Sequence, residues 1–384
     1  MNINNIGDKC LGCSACKNIC PTKAITTTRS FDGFLYPEVD SVKCVDCGAC
    51  NRVCPVLDDT VKPYPIHAYY GRSKDEDILA KSSSGGAFSE IAKLVLNKNG
   101  VVFGAAFDQE KKEVVITDTK HVELDKLRRS KYVESDPGES FLEVKKYLEN
   151  GTLVLFVGLP CQVAGLKKFL GKDYDNLITC DFICGGSTST INFQDHMKHL
   201  EKKYKSKVID VNFRPKLYGW REHSFKVDFE NNKSYRNYAY LDTYFRGFVV
   251  EKALIRECCN SCQFKNGHVS DIILADFWGY WQVKDLEKLD DKGMSLIMIN
   301  TLKGKKYVDN INEQMSLKEI PLQYISYNFS KSPTDKHINL KKQTFLENYA
   351  KYGFEKAAKL TYMKKCVKFR IKKAVKKVLR GIFG

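Results

Sequence analysis

Cys10, Cys13, Cys16 and Cys20, the last followed by Pro21, recur as Cys44, Cys47, Cys50 and Cys54 followed by Pro55. The spacing is C-x2-C-x2-C-x3-C-P twice, and no other feature constrains the folding of this chain as strongly. Three thiolates on one tight loop can grip three irons of a 4Fe-4S cubane, while the fourth iron takes a thiolate from elsewhere. Zinc sites usually draw on separated C-x2-C knuckles, and a disulfide framework belongs to small secreted chains. The duplication therefore predicts two 4Fe-4S clusters.

The spacing resembles bacterial two-cluster ferredoxins, in which the fourth Cys ligates the other cluster. That resemblance implies Cys10, Cys13, Cys16 and Cys54 for one cluster, and Cys44, Cys47, Cys50 and Cys20 for the other. Between the halves, Ala24 to Thr27 and Phe34 to Val39 flank Asp32-Gly33, a hairpin signal. An α+β ferredoxin-like domain over residues 1–57 is expected, folded with the help of its metal.

At 384 residues the chain has room for more. Its 43% hydrophobic and 12% aromatic content supports a sizeable second core. Residues 58–66, with Pro63 and Pro65, read as a linker. Residues 67–330 read as one α/β domain. Strands are expected at 101–107, 114–117, 152–157, 177–183, 208–213, 225–229, 272–275 and 296–300, with helices over 140–149 and 163–170 and another capped near Ser187 or Thr188. Two of these strands end in a Cys, at Cys161 and Cys184, where open α/β sheets place ligands.

The formal charge of +16 is concentrated at one end: residues 351–384 hold twelve Lys or Arg and one acid. Residues 331–384 read as a helical, basic tail. Its apolar positions from Val367 to Ile382 recur at helical spacing between lysines. Such a helix suits an anionic membrane surface, docking on its own domain, or a partner protein. No recognition motif accompanies the charge, so nucleic acid is not expected. The chain opens on a polar run without a secretory signal, and no stretch approaches the apolar length needed to span a bilayer. A cytoplasmic protein is expected, peripheral at the inner membrane face if the tail binds lipid.

Cys259 and Cys262 form a C-x2-C knuckle, open by itself to zinc, a redox dithiol or half of a cluster site. With Cys161 and Cys184 they could hold a third 4Fe-4S cluster. Cys180 and Cys258 read as small buried hydrophobes, and Cys366 as a spectator.

In chain order come S-S-S-G-G-A-F from Ser82, S-K-Y-V-E-S from Ser130, G-L-P-C-Q from Gly158, C-G-G from Cys184, C-N-S-C from Cys259 and D-F-W-G from Asp276. The ordered set resembles the coenzyme F420 hydrogenase/dehydrogenase beta subunit family over about residues 67–300, fused to the ferredoxin. The resemblance implies an FAD-binding α/β domain beside a 4Fe-4S cluster. It also implies electron exchange with a two-electron substrate such as the deazaflavin coenzyme. Reduced ferredoxin or reduced deazaflavin would be the redox partner. Ala275 before Asp276, where the family more often has Gly, and His268, where Arg is more usual, count against exact deazaflavin specificity. Fused members also resemble accessory enzymes of cell-surface polysaccharide pathways.

A flavin also follows from the chemistry, because clusters move single electrons whereas most organic substrates take two. Ser83, Ser84, Gly85 and Gly86 lead into an apolar helix and could present N–H groups to a pyrophosphate. An ordinary capped helix is the alternative. Lys131 could add a charge, and Gly158 and Gln162 complete the candidate cofactor-binding set. Arg214, Trp220, Arg221 and His223 suit a planar anionic substrate, with His223 and Arg221 as candidate catalytic groups. A solvated loop is the other reading. His196 and His199 are expected to face solvent. Two functions remain open: an FAD-dependent reductase, or an electron-transfer subunit with no substrate of its own.

Overall fold

The computed structural model describes residues 3–57, 64–284, 286, 289–329 and 336–363. Most of the linker and the basic helix read from Val367 to Ile382 lie outside the described residues, as does Cys366.

The N-terminal unit is built on a hairpin of β1 (Ile25–Arg29) and β2 (Leu35–Val39), paired antiparallel from Ile25 opposite Val39 to Arg29 opposite Leu35. Gly33 turns it at φ 84°, and a side chain there would strike Ser189 and Ile191 of the larger unit. Short helices Ala15–Ile19 and Ala49–Arg52 follow the two cysteine loops. Their core is Ile3, Ile6 and Ile25 with Cys50 and Cys54. Burying three isoleucines contributes only about 2 kcal/mol each, against about 1–2 kcal/mol per residue of ordering entropy. Metal and docking must supply the rest.

Docking is visible in the packing. Cys13, Ala15 and Val53 belong to the core made by the larger unit's Phe103, Phe141, Phe156 and Leu166. That unit holds β3 (His67–Gly71), β4 (Val101–Asp108), β5 (Glu113–Asp118), β6 (Ser135–Asp136), β7 (Val154–Val157) and β8 (Leu177–Phe182). Next come β9 (Val208–Asn212), β10 (Ser224–Phe229), β11 (Ser234–Tyr238), β12 (Ile272–Asp276), β13 (Ser295–Ile299) and β14 (Lys318–Glu319). Nine form a mixed sheet in the order β14-β3-β13-β12-β8-β7-β4-β5-β6. β4, β7, β8 and β12 run parallel at its centre, with Ile272 beside Cys180. β9, β10 and β11 form a separate antiparallel sheet.

Period-two alternation sends Ile272 and Ile297 to one face, with Ile91, Val95 and Val308, and Ile273, Leu296 and Met298 to the other. Helix Pro160–Leu170 starts on Pro at its first position and stops at Gly171, φ 68°. The helix expected to be capped near Ser187 or Thr188 is instead capped by Ser189, whose hydroxyl accepts from the Asn192 N–H at 3.3 Å. Helices Lys336–Tyr352 and Phe354–Ala358 pack on the same unit, with Phe345, Phe354 and Tyr362 buried against Phe193 and Tyr244.

His196 departs from the solvent-facing expectation. It is 2% exposed, bonded to Asp242 at 3.0 Å and to Glu355, whereas His199 is exposed as expected. Cys180 is a core residue, but Cys258 is half-buried, and its thiol donates to the Cys10 carbonyl at 3.1 Å.

Candidate functional site

Cys10, Cys13, Cys16 and Cys54 line one small cavity together with Ile3 and Ile6. Cys20, Cys44, Cys47 and Cys50 line another, together with the exposed Val45. Each cavity takes three cysteines from one half of the repeat and the fourth from the other. Among the described residues no group of three or more His, Cys, Asp or Glu converges as a single ion requires. A cubane spreads its four thiolates over four irons, so cysteines around a volume fit it.

Backbone N–H groups point at the sulfurs, from Gly12 to Cys10 Sγ at 3.4 Å and from Ala24 to Cys20 Sγ at 3.3 Å. Burial alone would raise the Cys20 thiol, but the Thr22 hydroxyl and neighbouring N–H groups hold it below its usual value. Burial pushes Cys13 up to about 12. Loading iron there releases the thiol proton, since the ligand is the thiolate.

A third group lies against the first cavity. Helix Pro160–Leu170 carries Cys161, and a side chain on its Gly165 would sit 3.0 Å from Cys13 Sγ. The charges of Cys262, Cys184, Cys13 and Cys259 all act on Cys161, whose thiol burial raises well above its usual value. Gly186, at φ 112°, lets its loop lie over Cys259 and donates to Cys184 Sγ at 3.4 Å, and the Ser187 N–H reaches Cys259 Sγ at 3.5 Å. Burial raises Cys184 to about 12 and Cys262 to about 11. The four cysteines proposed from sequence are thus neighbours.

Arg256 carries no motif, and sequence reasoning missed it. Fully buried, it donates to the Cys10 carbonyl at 2.7 Å, to the Leu35 carbonyl at 2.7 Å and to Glu134. Glu134 in turn accepts from the Leu35 N–H at 2.9 Å and pairs with Arg29 at 3.4 Å.

The candidate cofactor loop divides. The Ser83 hydroxyl accepts from the Ser130 N–H at 3.0 Å, joining S-S-S-G-G to S-K-Y, and the Ser84 hydroxyl donates to the Met294 carbonyl at 2.8 Å. A side chain on Gly85 would strike Gly71 and Ser295, so that glycine is required by packing, while Gly86 caps the next helix at φ 93°. Lys131 Nζ donates to the Arg128 carbonyl at 2.6 Å and the Arg129 carbonyl at 3.3 Å, and burial lowers it to about 7. Gln162 spends its amide on Ser135 and on the Leu159 N–H near Gly158, beside Cys161.

Arg214 and Trp220 of the expected substrate loop are buried, and Arg221 and His223 are partly buried rather than freely solvated. Trp220, 1% exposed, stacks on Trp278 at 4.7 Å and donates to Asp276 at 2.6 Å. Arg221 is committed to Tyr280 at 2.8 Å and to the Leu289 carbonyl at 2.7 Å. Arg214 pairs with Asp276 at 3.0 Å, yet its Nη2 is buried with no partner among the described residues, and so is His223 Nε2. Arg214 lies over Trp278, and His223 meets the same ring edge-on at 5.3 Å. Burial lowers His223 to about 4, so it is neutral near pH 7. Two polar atoms left open against one aromatic face suit the anionic or carbonyl edge of a planar molecule.

A cysteine-lined mixed α/β protein of this kind belongs with the iron-sulfur proteins of electron transfer. Residues 9–57 match the 4Fe-4S dicluster domain, residues 68–143 the coenzyme F420 hydrogenase/dehydrogenase beta subunit N-terminal model, and residues 151–323 its C-terminal model. The chain belongs to the coenzyme F420 hydrogenase/dehydrogenase beta subunit family and carries an N-terminal dicluster domain. Comparison with curated proteins returns no match. Among solved structures, a chain of the F420-reducing NiFe hydrogenase complex from Methanosarcina barkeri is similar at 17% identity and a TM-score of 0.44, over 79% of this chain and 93% of that one. No helix among the described residues is long and apolar enough to cross a membrane.

Proposed function

We propose that the chain is an FAD-dependent iron-sulfur oxidoreductase. Its path runs from a cluster on Cys20, Cys44, Cys47 and Cys50, through one on Cys10, Cys13, Cys16 and Cys54, to a third on Cys161, Cys184, Cys259 and Cys262. The observation that carries this reading is the seam between the last two groups, where Cys13 faces Gly165 and the Cys258 thiol meets the Cys10 carbonyl. FAD would exchange single electrons with the clusters and electron pairs with an organic substrate. Ser83 to Gly86 would border it. Arg214 Nη2 would hold an anionic edge over Trp278, and His223 would move a proton at Nε2. F420-type deazaflavin is one substrate, and a cell-surface polysaccharide precursor is another. A ferredoxin or reduced deazaflavin would be the partner.

The second reading is a relay subunit without a substrate of its own. It is favoured by Lys131, and by Lys216, whose ammonium holds the Leu79 and Ser84 carbonyls, so neither offers itself to a phosphate. Oxygen-free purification with iron, sulfide and flavin quantitation separates the two. About twelve irons and one flavin per chain support the reductase; about eight irons and no flavin overturn it.

A further inference from the structure

We infer that Arg256 is a positioning residue which sets the reduction potential of the cluster beside Cys10 and fixes its spacing from the group at Cys161. The inference rests on the cluster assignment above and extends it to a residue outside every cysteine motif.

Its main chain and side chain hold different loops. The Arg256 N–H donates to the Ser187 carbonyl at 2.9 Å, and its carbonyl accepts from the Cys259 N–H at 3.0 Å, which braces the Cys184 and Cys259 loops. Its guanidinium meanwhile braces the Cys10 loop through the Cys10 carbonyl and the hairpin through the Leu35 carbonyl. The plane lies 4.2 Å over Tyr36 and 5.4 Å from Phe34, so it cannot swing away. Gly12 is kept clear for it, since a side chain there would come 2.8 Å from Arg256 Nη1 and 2.8 Å from Glu134 Oε1.

The pair has a direction. Arg256 bonds a ligand-bearing residue directly, whereas Glu134 bonds Leu35, Arg29 and Arg256 itself. The positive end of the buried pair therefore faces the Cys10 loop, whose thiolate would hold the cluster. Reduction adds one electron to the iron-sulfur core, a ferric site becomes ferrous, and no bond is made or broken. The extra negative charge is stabilised by a buried cation more strongly than water would allow. Arg256 thus favours the reduced form, and Glu134 opposes it.

The test is a dithionite titration with mediators of the anaerobic full-length protein, followed by electron paramagnetic resonance. Arg256→Met should lower the reduced-to-oxidised ratio of one cluster at least tenfold at fixed potential, a midpoint fall of about 59 mV for one electron. Glu134→Gln should raise the same midpoint, and Arg256→Lys, which keeps the charge, should stay within about threefold of wild type. If Arg256→Met yields no folded protein, the Glu134→Gln rise and the Arg256→Lys result still decide. Shifts of the same sign in Arg256→Met and Glu134→Gln would indicate mere loosening and overturn the inference, as would unmoved midpoints with all signals present. Wild-type protein without cubane signals would overturn the cluster assignment itself, and this inference with it.

Discussion

Gly12 shows how little room the first cysteine loop has. Its φ of 71° is left-handed, and an added methyl would meet Arg256 and Glu134 at 2.8 Å. Gly12→Ala should cost on the order of 3 kcal/mol from strain and overpacking and release one cluster's iron. Iron per chain measures this, and a fully loaded variant would refute it. Asp276, the last residue of β12, carries a comparable burden, holding both Arg214 and Trp220. Asp276→Ala leaves Arg214 buried without its counter-charge and should lower stability by about 3 kcal/mol, read from the denaturant midpoint. The cysteines were legible because their spacing is itself the chemistry. Arg256 and its pairing with Glu134 were not, even though Glu134 lies in S-K-Y-V-E-S, because an ion pair between residues 122 apart leaves no local pattern. His196 could have been read correctly: it shares a helical stripe with Phe193 and Leu200, both buried.

Helix Phe354–Ala358 is fastened to helices Thr190–Tyr204 and Thr243–Val249 by one buried charge group, His196 between Asp242 and Glu355. Burial would lower His196, but the two carboxylates prevail and raise it to about 10. Burial would likewise raise Asp242 and Glu355, and His196 prevails to hold both below their usual range. A raised histidine contributes stability that is complete below its unfolded value of about 6.5 and is lost as pH climbs toward 10. The depressed carboxylates contribute above their unfolded values of about 4 and lose that contribution as pH falls. Thermal stability should therefore peak between about pH 4.5 and 6.5 and decline on the alkaline side. His196→Gln should lower the peak and flatten the alkaline decline, which melting curves across pH would detect. An unchanged alkaline slope in the variant would refute the assignment. The central strands were legible from their apolar runs. That residues after 330 are helical was legible as well, but what helices Lys336–Tyr352 and Phe354–Ala358 pack against was not, because Phe345 and Phe354 meet Phe193 and Tyr244, which lie far away in sequence.

The two units depend on metal to different degrees. Residues 101–299 bury continuous aromatic and aliphatic layers on both faces of the large sheet, from Phe103 and Phe156 to Ile272 and Ile297. Residues 3–57 bury few large apolar side chains, three isoleucines with Phe34 and Leu35, beside their own cysteines, and borrow much of their packing from helix Pro160–Leu170 and Arg256. Sheet order was largely illegible, since pairing β3 with β13 joins residues more than 200 positions apart through main-chain bonds that any sequence can make. The consequence of that order is legible once seen: the open sheet from β14 to β6 is assembled without a strand from any cysteine loop. Removal of iron by a chelator under reducing conditions should therefore unfold the N-terminal unit while the sheet persists. Hydrogen exchange should rise throughout residues 3–57 and around Cys259 and Cys262, with β4, β7, β8 and β12 still protected. Uniform loss of protection would mean that the sheet depends on the clusters as well. No change in residues 3–57 would mean that docking through Ala15, Val53 and Arg256 holds the unit without metal.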